Sequence, residues 1–262
     1  MGKVISPDGT SIAYSRTGEG PPLVLVHGTT ASHTRWAPIL PALEAQFTVY
    51  AVDRRGRGES GDSDRYALER EFEDIAALVN AIGEPVNLLG HSFGGLCALE
   101  AALRTDNLHK LILYEPPVTR SDIVPYPEGV TARLQALLAA GDREGVLTTF
   151  FREVVKMPPH EFEQYRALPE WPARLASAHT LPRELRAVEQ YEFTAVRFRS
   201  LVTPTLLLLG GDSPPLFSEA ATMVATAVPN SHIVVMPGQQ HIAIDTAPDL
   251  FLREVLTFLT GR

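Results

Sequence analysis

With 262 residues, the chain is long enough for one large domain, or for a domain with one insertion, around a substantial core. Its formal net charge of −8 at pH 7 argues against nucleic acid and anionic membrane surfaces as partners, because both require a basic patch. A single cysteine, Cys97, excludes an internal disulfide, and the sequence shows neither a secretory signal nor an apolar stretch of about 18 residues, so we expect a cytoplasmic protein.

Apolar runs bounded by turn residues predict the strands of one sheet. Several of these runs are apolar at consecutive positions, which is typical of strands buried on both faces. In chain order the predicted strands cover residues 3–6, 10–16, 22–28, 47–53, 86–91, 110–115, 203–210 and 231–237.

Amphipathic runs between these strands predict helices. In the run over residues 67–83, apolar side chains such as Phe72, Ile75 and Val79 recur at helical spacing, and Gly83 follows as a stop signal. Alternation of strands and helices indicates an α/β fold with a mostly parallel, doubly wound sheet covered on both faces. The other predicted helices cover residues 32–45, 94–104, 218–228 and 249–259.

One segment, residues 118–198, interrupts the alternation because its runs are helical and separated by proline-rich turns. An unstructured loop of that length would be implausible in a compact domain. We therefore expect a helical cap, or lid, inserted over the sheet edge where ligands bind. The core that contains the sheet would then comprise residues 1–117 and 199–262.

The stretch Gly90-His91-Ser92-Phe93-Gly94 matches G-x-S-x-G between a predicted strand and a predicted helix. In that setting Ser92 occupies a sharp turn and serves as a nucleophile, and small flanking residues avoid collisions with the strand and the helix. The backbone N–H of Phe93 lies at a helix N-terminus, where it can bind an oxyanion.

Two further segments fit the same chemistry. His27-Gly28-Thr29 ends a predicted strand, and the N–H of Thr29 can supply the second oxyanion contact, whereas His27 is interpreted as a structural residue of the turn. His241 lies in a loop between the last strand and the last helix, so it can act as the base. The order serine, acid, histidine is one of the known arrangements of serine hydrolases.

The chain resembles the α/β-hydrolase fold superfamily over almost its whole length, in particular its serine esterase, cofactor-free haloperoxidase (perhydrolase) and C–C hydrolase branches. The matching pieces are LVHG, VDRRGRGES, GHSFGG, TPTLLLLGGD and PGQQH. The resemblance implies that DRRGRGES forms a turn beside the active site. Because serine occupies the nucleophile position, the dehalogenase and epoxide-hydrolase branches are disfavoured.

The carboxylate that would support His241 has two candidates. Asp212 follows a strand in the usual place, but the family aspartate normally lies three residues after the strand-ending Gly210, and that position is Ser213. Glu115 ends the strand after the nucleophile helix, where some lipases and a fungal lactonase carry their acid, and its longer side chain can span the extra distance. Glu115 is the preferred acid and Asp212 the alternative.

These residues predict a serine hydrolase that cleaves a carboxylic ester or lactone through an acyl-enzyme. No metal cluster or phosphate loop is visible, so we expect neither a metal nor a cofactor. The expected partner is a small apolar or aromatic ester or lactone, although cap aromatics are more often core residues than substrate contacts. The candidate pocket residues are His27, Gly28, Trp36, His91, Phe150, Phe151 and Trp171.

Two alternatives remain open at this point. The first is C–C bond hydrolysis or perhydrolysis by the same triad, and the second is a non-catalytic, receptor-like homologue that retains the pocket only to bind a ligand. Turnover of simple esters that depends on Ser92 would separate an enzyme from a binding protein.

Overall fold

The structure, a computed structural model, describes residues 1–119 and 126–261. Within those ranges eight strands form one sheet in the order β1-β2-β4-β3-β5-β6-β7-β8. The pairs β1–β2 and β2–β4 are antiparallel, and all other neighbours are parallel, which confirms the predicted α/β sheet. The strands are β1 (Gly2–Ile5), β2 (Ser11–Thr17), β3 (Pro22–Val26), β4 (Thr48–Val52), β5 (Val86–His91), β6 (Leu108–Tyr114), β7 (Thr205–Gly210) and β8 (Ser231–Met236).

The helices follow the strands in chain order, and short 3₁₀ and π turns occur between some of them. No helix in the described ranges is both long and apolar enough to cross a membrane. The α-helices are α1 (Leu40–Glu44), α2 (Leu68–Ile82), α3 (Phe93–Ala101), α4 (Val130–Ala139), α5 (Arg143–Thr149), α6 (Pro159–Arg166), α7 (Trp171–Ala176), α8 (Leu181–Gln190), α9 (Pro215–Ala227), α10 (Ala243–Thr246) and α11 (Pro248–Thr260).

The chain divides into two compact units, Met1–Val118 with Phe193–Arg262, and Thr119–Glu192. The first unit contains the sheet. In the second unit the described residues form helices α4–α8 and no strand, and their apolar side chains pack into a separate core. The segment that returns from the second unit joins the first one, because Arg197 donates two hydrogen bonds of 2.7 Å to the buried carboxylate of Glu100 on α3.

Local sequence explains why helix α2 was predicted correctly and why the helix predicted over residues 32–45 was not. Helix α2 ends at Gly83, whose φ of 79° lies in the left-handed region that favours glycine. The long helix predicted over residues 32–45 is wrong: the structure has a 3₁₀ turn at His33–Trp36 and then the short α1. Pro38 lacks the N–H that an α-helix needs there, so the first helical turn cannot continue.

The parallel strands place the candidate site residues at one edge of the sheet. Strands β3, β5 and β7 are buried along their whole length and run in the same direction, as does β6 between β5 and β7. Their carboxyl ends therefore meet at the same edge, where ligands bind in α/β sheets. The residues that follow these ends are His27 to Thr30 after β3, Ser92 after β5, Glu115 after β6, and Gly211 to Ser213 after β7.

Candidate active site

Ser92 lies at the junction of β5 and α3 in a strained backbone conformation. Its φ of 55° and ψ of −127° fall in a region that non-glycine residues rarely adopt. The strain is held by hydrogen bonds on both sides, from Ser92 N–H to the Tyr114 carbonyl at 2.9 Å and from Gly95 N–H to the Ser92 carbonyl at 2.7 Å. Strain of this kind concentrates at functional sites, and here it belongs to the residue predicted as the nucleophile.

Glycines next to the turn allow three backbone segments to meet. A Cβ on Gly94 would lie 2.3 Å from the carbonyl oxygen of Val26 at the end of β3. A Cβ on Gly28 would lie 2.9 Å from the Cβ of Ser92 and 3.4 Å from its hydroxyl oxygen. The loop after β3 thus passes directly beside Ser92.

The backbone N–H groups of Phe93 and Thr29 are both available to an anion. Phe93 is the first residue of α3, so its N–H has no acceptor inside the helix. Among the described residues, no carbonyl or side chain accepts a hydrogen bond from the N–H of Phe93 or Thr29. Phe93 follows Ser92 in the chain, and Thr29 follows Gly28, which approaches Ser92 closely, so both donors belong to residues near the serine.

Glu115 and His241 form a short hydrogen-bonded pair at the same sheet edge. Nδ1 of His241 lies 2.6 Å from Oε2 of Glu115, whose side chain is buried. The other carboxylate oxygen, Oε1, accepts hydrogen bonds from Gly210 N–H at 2.7 Å and from the Ser213 hydroxyl at 2.5 Å. An imidazole with its Nδ1 on a buried carboxylate has its proton-accepting Nε2 oriented for catalysis.

Asp212, the alternative acid, is not brought to His241. Its residue is exposed, and its backbone N–H donates to the carbonyl of Gln239 at 2.9 Å. Within residues 1–119 and 126–261 its carboxylate makes no hydrogen bond. The residue in the position that resemblance assigns to the family acid is Ser213, which contacts Glu115 instead.

Two side chains hold the loop that carries His241 through hydrogen bonds to its backbone. The hydroxyl of Tyr114 donates to the carbonyl of Gln240 and accepts from Ala243 N–H at 2.9 Å. Nε2 of His91 donates to the carbonyl of His241 at 2.9 Å. His91 was predicted as a pocket residue, but it lies buried under this loop, and burial together with the nearby His241 holds its pKa well below the usual range.

Phe217, on α9, covers the imidazole of His241. The two rings are stacked, with centroids 4.5 Å apart and planes 17° apart, and Phe217 remains half-buried. Sequence reasoning missed both Phe217 and Tyr114. Only the position of Tyr114 next to Glu115 at a strand end could have indicated it, and no local signal points to Phe217.

Two predicted pocket residues of the first unit serve the core instead. Nδ1 of His27 donates to the Gly28 carbonyl at 2.8 Å and its Nε2 accepts from Arg54 N–H at 3.2 Å. Both ring nitrogens are thus engaged in a fully buried side chain, and burial together with the charge of Arg54 holds its pKa well below the usual range. Trp36 is completely buried in the apolar core beside residues such as Leu25, so we assign it to packing.

The aromatic pocket candidates Phe150, Phe151 and Trp171 lie in the second unit and pack against one another. The ring centroids of Phe150 and Phe151 are 5.3 Å apart, and those of Phe151 and Trp171 are 6.1 Å apart. All three are buried in the core of that unit. This placement favours the interpretation as core residues that the sequence left open.

The charged turn after β4 contains buried ion pairs rather than a solvated loop. The guanidinium of Arg54 donates to both carboxylate oxygens of Glu71, at 3.2 and 3.3 Å, and lies 4.4 Å from the ring centroid of Phe93. Such a buried pair needs hydrogen bonds to offset the loss of water. Arg54 thus packs against Phe93, the first residue of α3, whose N–H is the proposed oxyanion donor.

A second histidine–carboxylate pair joins the loop after β3 to β4. Nδ1 of His33 lies 2.8 Å from Oδ1 of Asp53, and the same oxygen accepts from His33 N–H at 2.9 Å. The hydrogen bond to Asp53 raises the pKa of His33. Burial opposes ionisation of Asp53, but the bonds from His33 and from Glu59 N–H hold its pKa below the usual value.

Comparison with known proteins agrees with the observed fold. A solved alpha/beta hydrolase from Sphaerobacter thermophilus is 39% identical and aligns over 98% of this chain and 100% of its own, with a TM-score of 0.85. The 2-(acetamidomethylene)succinate hydrolase of Mesorhizobium japonicum is 27% identical over 92% of this chain and 89% of that protein. The pimeloyl-(acyl-carrier protein) methyl ester esterase of Aeromonas hydrophila is 28% identical over 96% of this chain and 100% of that protein.

The model of the Alpha/beta hydrolase family matches residues 23–254, which include all the residues of the candidate site. The chain belongs to the alpha/beta hydrolase family.

Proposed function

We propose that this hydrolase cleaves carboxylic esters or lactones with Ser92 as nucleophile, His241 as base and Glu115 as acid. The observation that carries the proposal is the 2.6 Å contact between His241 Nδ1 and the buried Glu115 carboxylate. It lies at the sheet edge at which Ser92 adopts its strained turn. A serine, an oriented imidazole and a buried carboxylate are the three groups that acyl transfer needs.

The reaction follows from these roles. Nε2 of His241 takes the hydroxyl proton of Ser92 as its oxygen attacks the carbonyl carbon, and the N–H groups of Phe93 and Thr29 bind the oxyanion. The imidazolium then gives its proton to the leaving alkoxide, so that the ester bond breaks and an acyl-enzyme remains. Water, deprotonated by the same imidazole, attacks the acyl group and releases the acid and the free serine.

Two observations support an ester with an apolar group near the base. Phe217 places a half-buried aromatic face against His241, and apolar walls with a few polar groups are typical of small-molecule sites. Among the relatives, a methyl ester esterase matches nearly the whole chain. The same groups could also catalyse C–C hydrolysis or perhydrolysis, so the experiment must compare these reactions.

The proposal is tested with p-nitrophenyl acetate and butyrate, a lactone, a diketone and a peracid-forming assay on one preparation. We expect the highest kcat/KM with an ester or the lactone, loss of turnover in Ser92→Ala, and wild-type activity in the control Ser218→Ala on α9. A clear preference for the diketone or for peracid formation would replace the ester proposal with the corresponding alternative. Absence of both turnover and fluorophosphonate labelling of Ser92 would refute the hydrolytic triad.

A further inference from the structure

The end of β7 and the turn after it, residues Gly210 to Ser213, carry two donors that meet the carboxylate of Glu115. Gly210 N–H lies 2.7 Å and the Ser213 hydroxyl 2.5 Å from Oε1, whereas His241 uses Oε2 at 2.6 Å. Glu115 is only 1% exposed, so these three contacts replace the water that a free carboxylate would bind. Hydrogen bonds to an ionised carboxylate are among the strong ones in proteins.

The turn has little freedom to move away from Glu115. Asp212 N–H donates to the carbonyl of Gln239 at 2.9 Å, and Ser213 N–H donates to the carbonyl of Gly210 at 3.2 Å. A Cβ on Gly210 would lie 2.5 Å from the Gln239 oxygen and 2.6 Å from the Ser213 hydroxyl oxygen. Glycine at position 210 is therefore what lets the Ser213 hydroxyl approach the carboxylate.

The side chain of the acid is long, so several torsions must be fixed to hold its carboxylate in place. A glutamate carboxyl group turns about three side-chain torsions, and the last of these has a broad energy profile. Glu115 also reaches across from the end of β6, from a backbone position with φ of 45°. A carboxylate on so long a side chain needs a second anchor if Oε2 is to keep its alignment as the charge of the imidazole changes.

We propose that Ser213 is a positioning residue, which holds Glu115 by Oε1 so that Oε2 stays aligned with Nδ1 of His241 during proton transfer. The inference rests on the proposed function, because it assigns a role within the same triad. Ser213 transfers no proton and touches no substrate. It acts only through Glu115, and that restriction makes the role measurable.

The test is a double-mutant cycle of Ser213→Ala and Glu115→Gln, with Ser213→Thr and Ser218→Ala as controls. We expect Ser213→Ala to lower kcat about tenfold with KM within about twofold of wild type, as for loss of a hydrogen bond to a charged group. Ser213→Thr keeps the hydroxyl and should restore most of kcat, and Ser218→Ala should match wild type. In the Glu115→Gln background the same Ser213→Ala change should lower kcat by less than about twofold.

A measurement independent of turnover separates this inference from the proposed function. In ¹H NMR spectra, the Nδ1 proton of His241 should give a far-downfield signal that Glu115→Ala abolishes and Ser213→Ala moves upfield. If wild type hydrolyses no substrate, the proposed function fails, and the NMR signal still decides whether Ser213 controls this hydrogen bond. Wild-type kcat in Ser213→Ala, an equal loss in both backgrounds, or an unmoved proton signal would each overturn the positioning role, provided thermal unfolding shows the variants folded.

Discussion

Replacing Glu115 by glutamine tests the identity of the acid most directly. The substitution keeps the shape of the side chain but removes the charge that faces His241 Nδ1 at 2.6 Å. Two unit charges about 4 Å apart interact by about 4 kcal/mol at an effective dielectric constant of about 20. If the imidazolium forms only during the reaction, that energy is lost from the transition state. We therefore expect kcat to fall about 10³-fold.

The assay is steady-state hydrolysis of p-nitrophenyl butyrate by wild type, Glu115→Gln and the matched control Asp212→Asn. Among the described residues, the exposed Asp212 forms no hydrogen bond or ion pair with His241, so its amide variant should keep kcat within about twofold of wild type. KM should change little in either variant, because neither carboxylate binds substrate. A Glu115→Gln enzyme within tenfold of wild type, together with a large loss in Asp212→Asn, would show that the reasoning is wrong.

Three further predictions concern the surroundings of the triad. Gly94→Ala places a Cβ 2.3 Å from the Val26 carbonyl oxygen, so it should lower the free energy of unfolding in urea by about 1–3 kcal/mol. The hydrogen bond to Asp53 raises the pKa of His33, so protonated His33 stabilises the fold below its usual pKa. This contribution is lost as the pH rises through the raised pKa, and His33→Gln should therefore lower Tm more at about pH 5.5 than at about pH 9. An equal loss of Tm at both pH values would contradict the pairing. Phe217→Leu removes the ring that covers the proposed base and should lower kcat/KM about two- to tenfold, whereas wild-type kinetics would assign that ring to the surface only.

The fold could be predicted because its signals are local. The buried strands are continuous apolar runs, and the run over residues 86–91 coincides with β5. The glycines around Ser92 form a local motif in the sequence, although the segments for which they make room, such as Val26 beside Gly94, are distant in the chain. The prediction of one helix over residues 32–45 was wrong because it relied on the spacing of the apolar residues and ignored Pro38. Pro38 has no N–H, so it ends the first turn.

The composition of the site could be predicted only in part, because its contacts are distant in sequence. Glu115 and Asp212 both follow strands at the same sheet edge, and no sequence pattern measures which of them reaches His241. The neighbours that decide this, such as Phe217 over the imidazole and Ser213 on the carboxylate, come from the turn after β7 and from α9. Burial of Arg54 was equally invisible, since its partner Glu71 lies on another element.

The residue at position 213 and the residue at position 115 constrain each other. The Ser213 hydroxyl lies 2.5 Å from Oε1 of Glu115, so a carboxylate at position 213 would bring two negative charges into contact in a buried site. Two like charges that share a site repel each other, and that repulsion would work against the alignment of Glu115 with His241. A chain that carries its acid after β6 therefore needs a neutral donor in the turn after β7. Serine at position 213 is such a donor. Its hydroxyl stabilises the Glu115 carboxylate beside His241, and this contact favours Glu115 over Asp212 as the acid that faces the histidine.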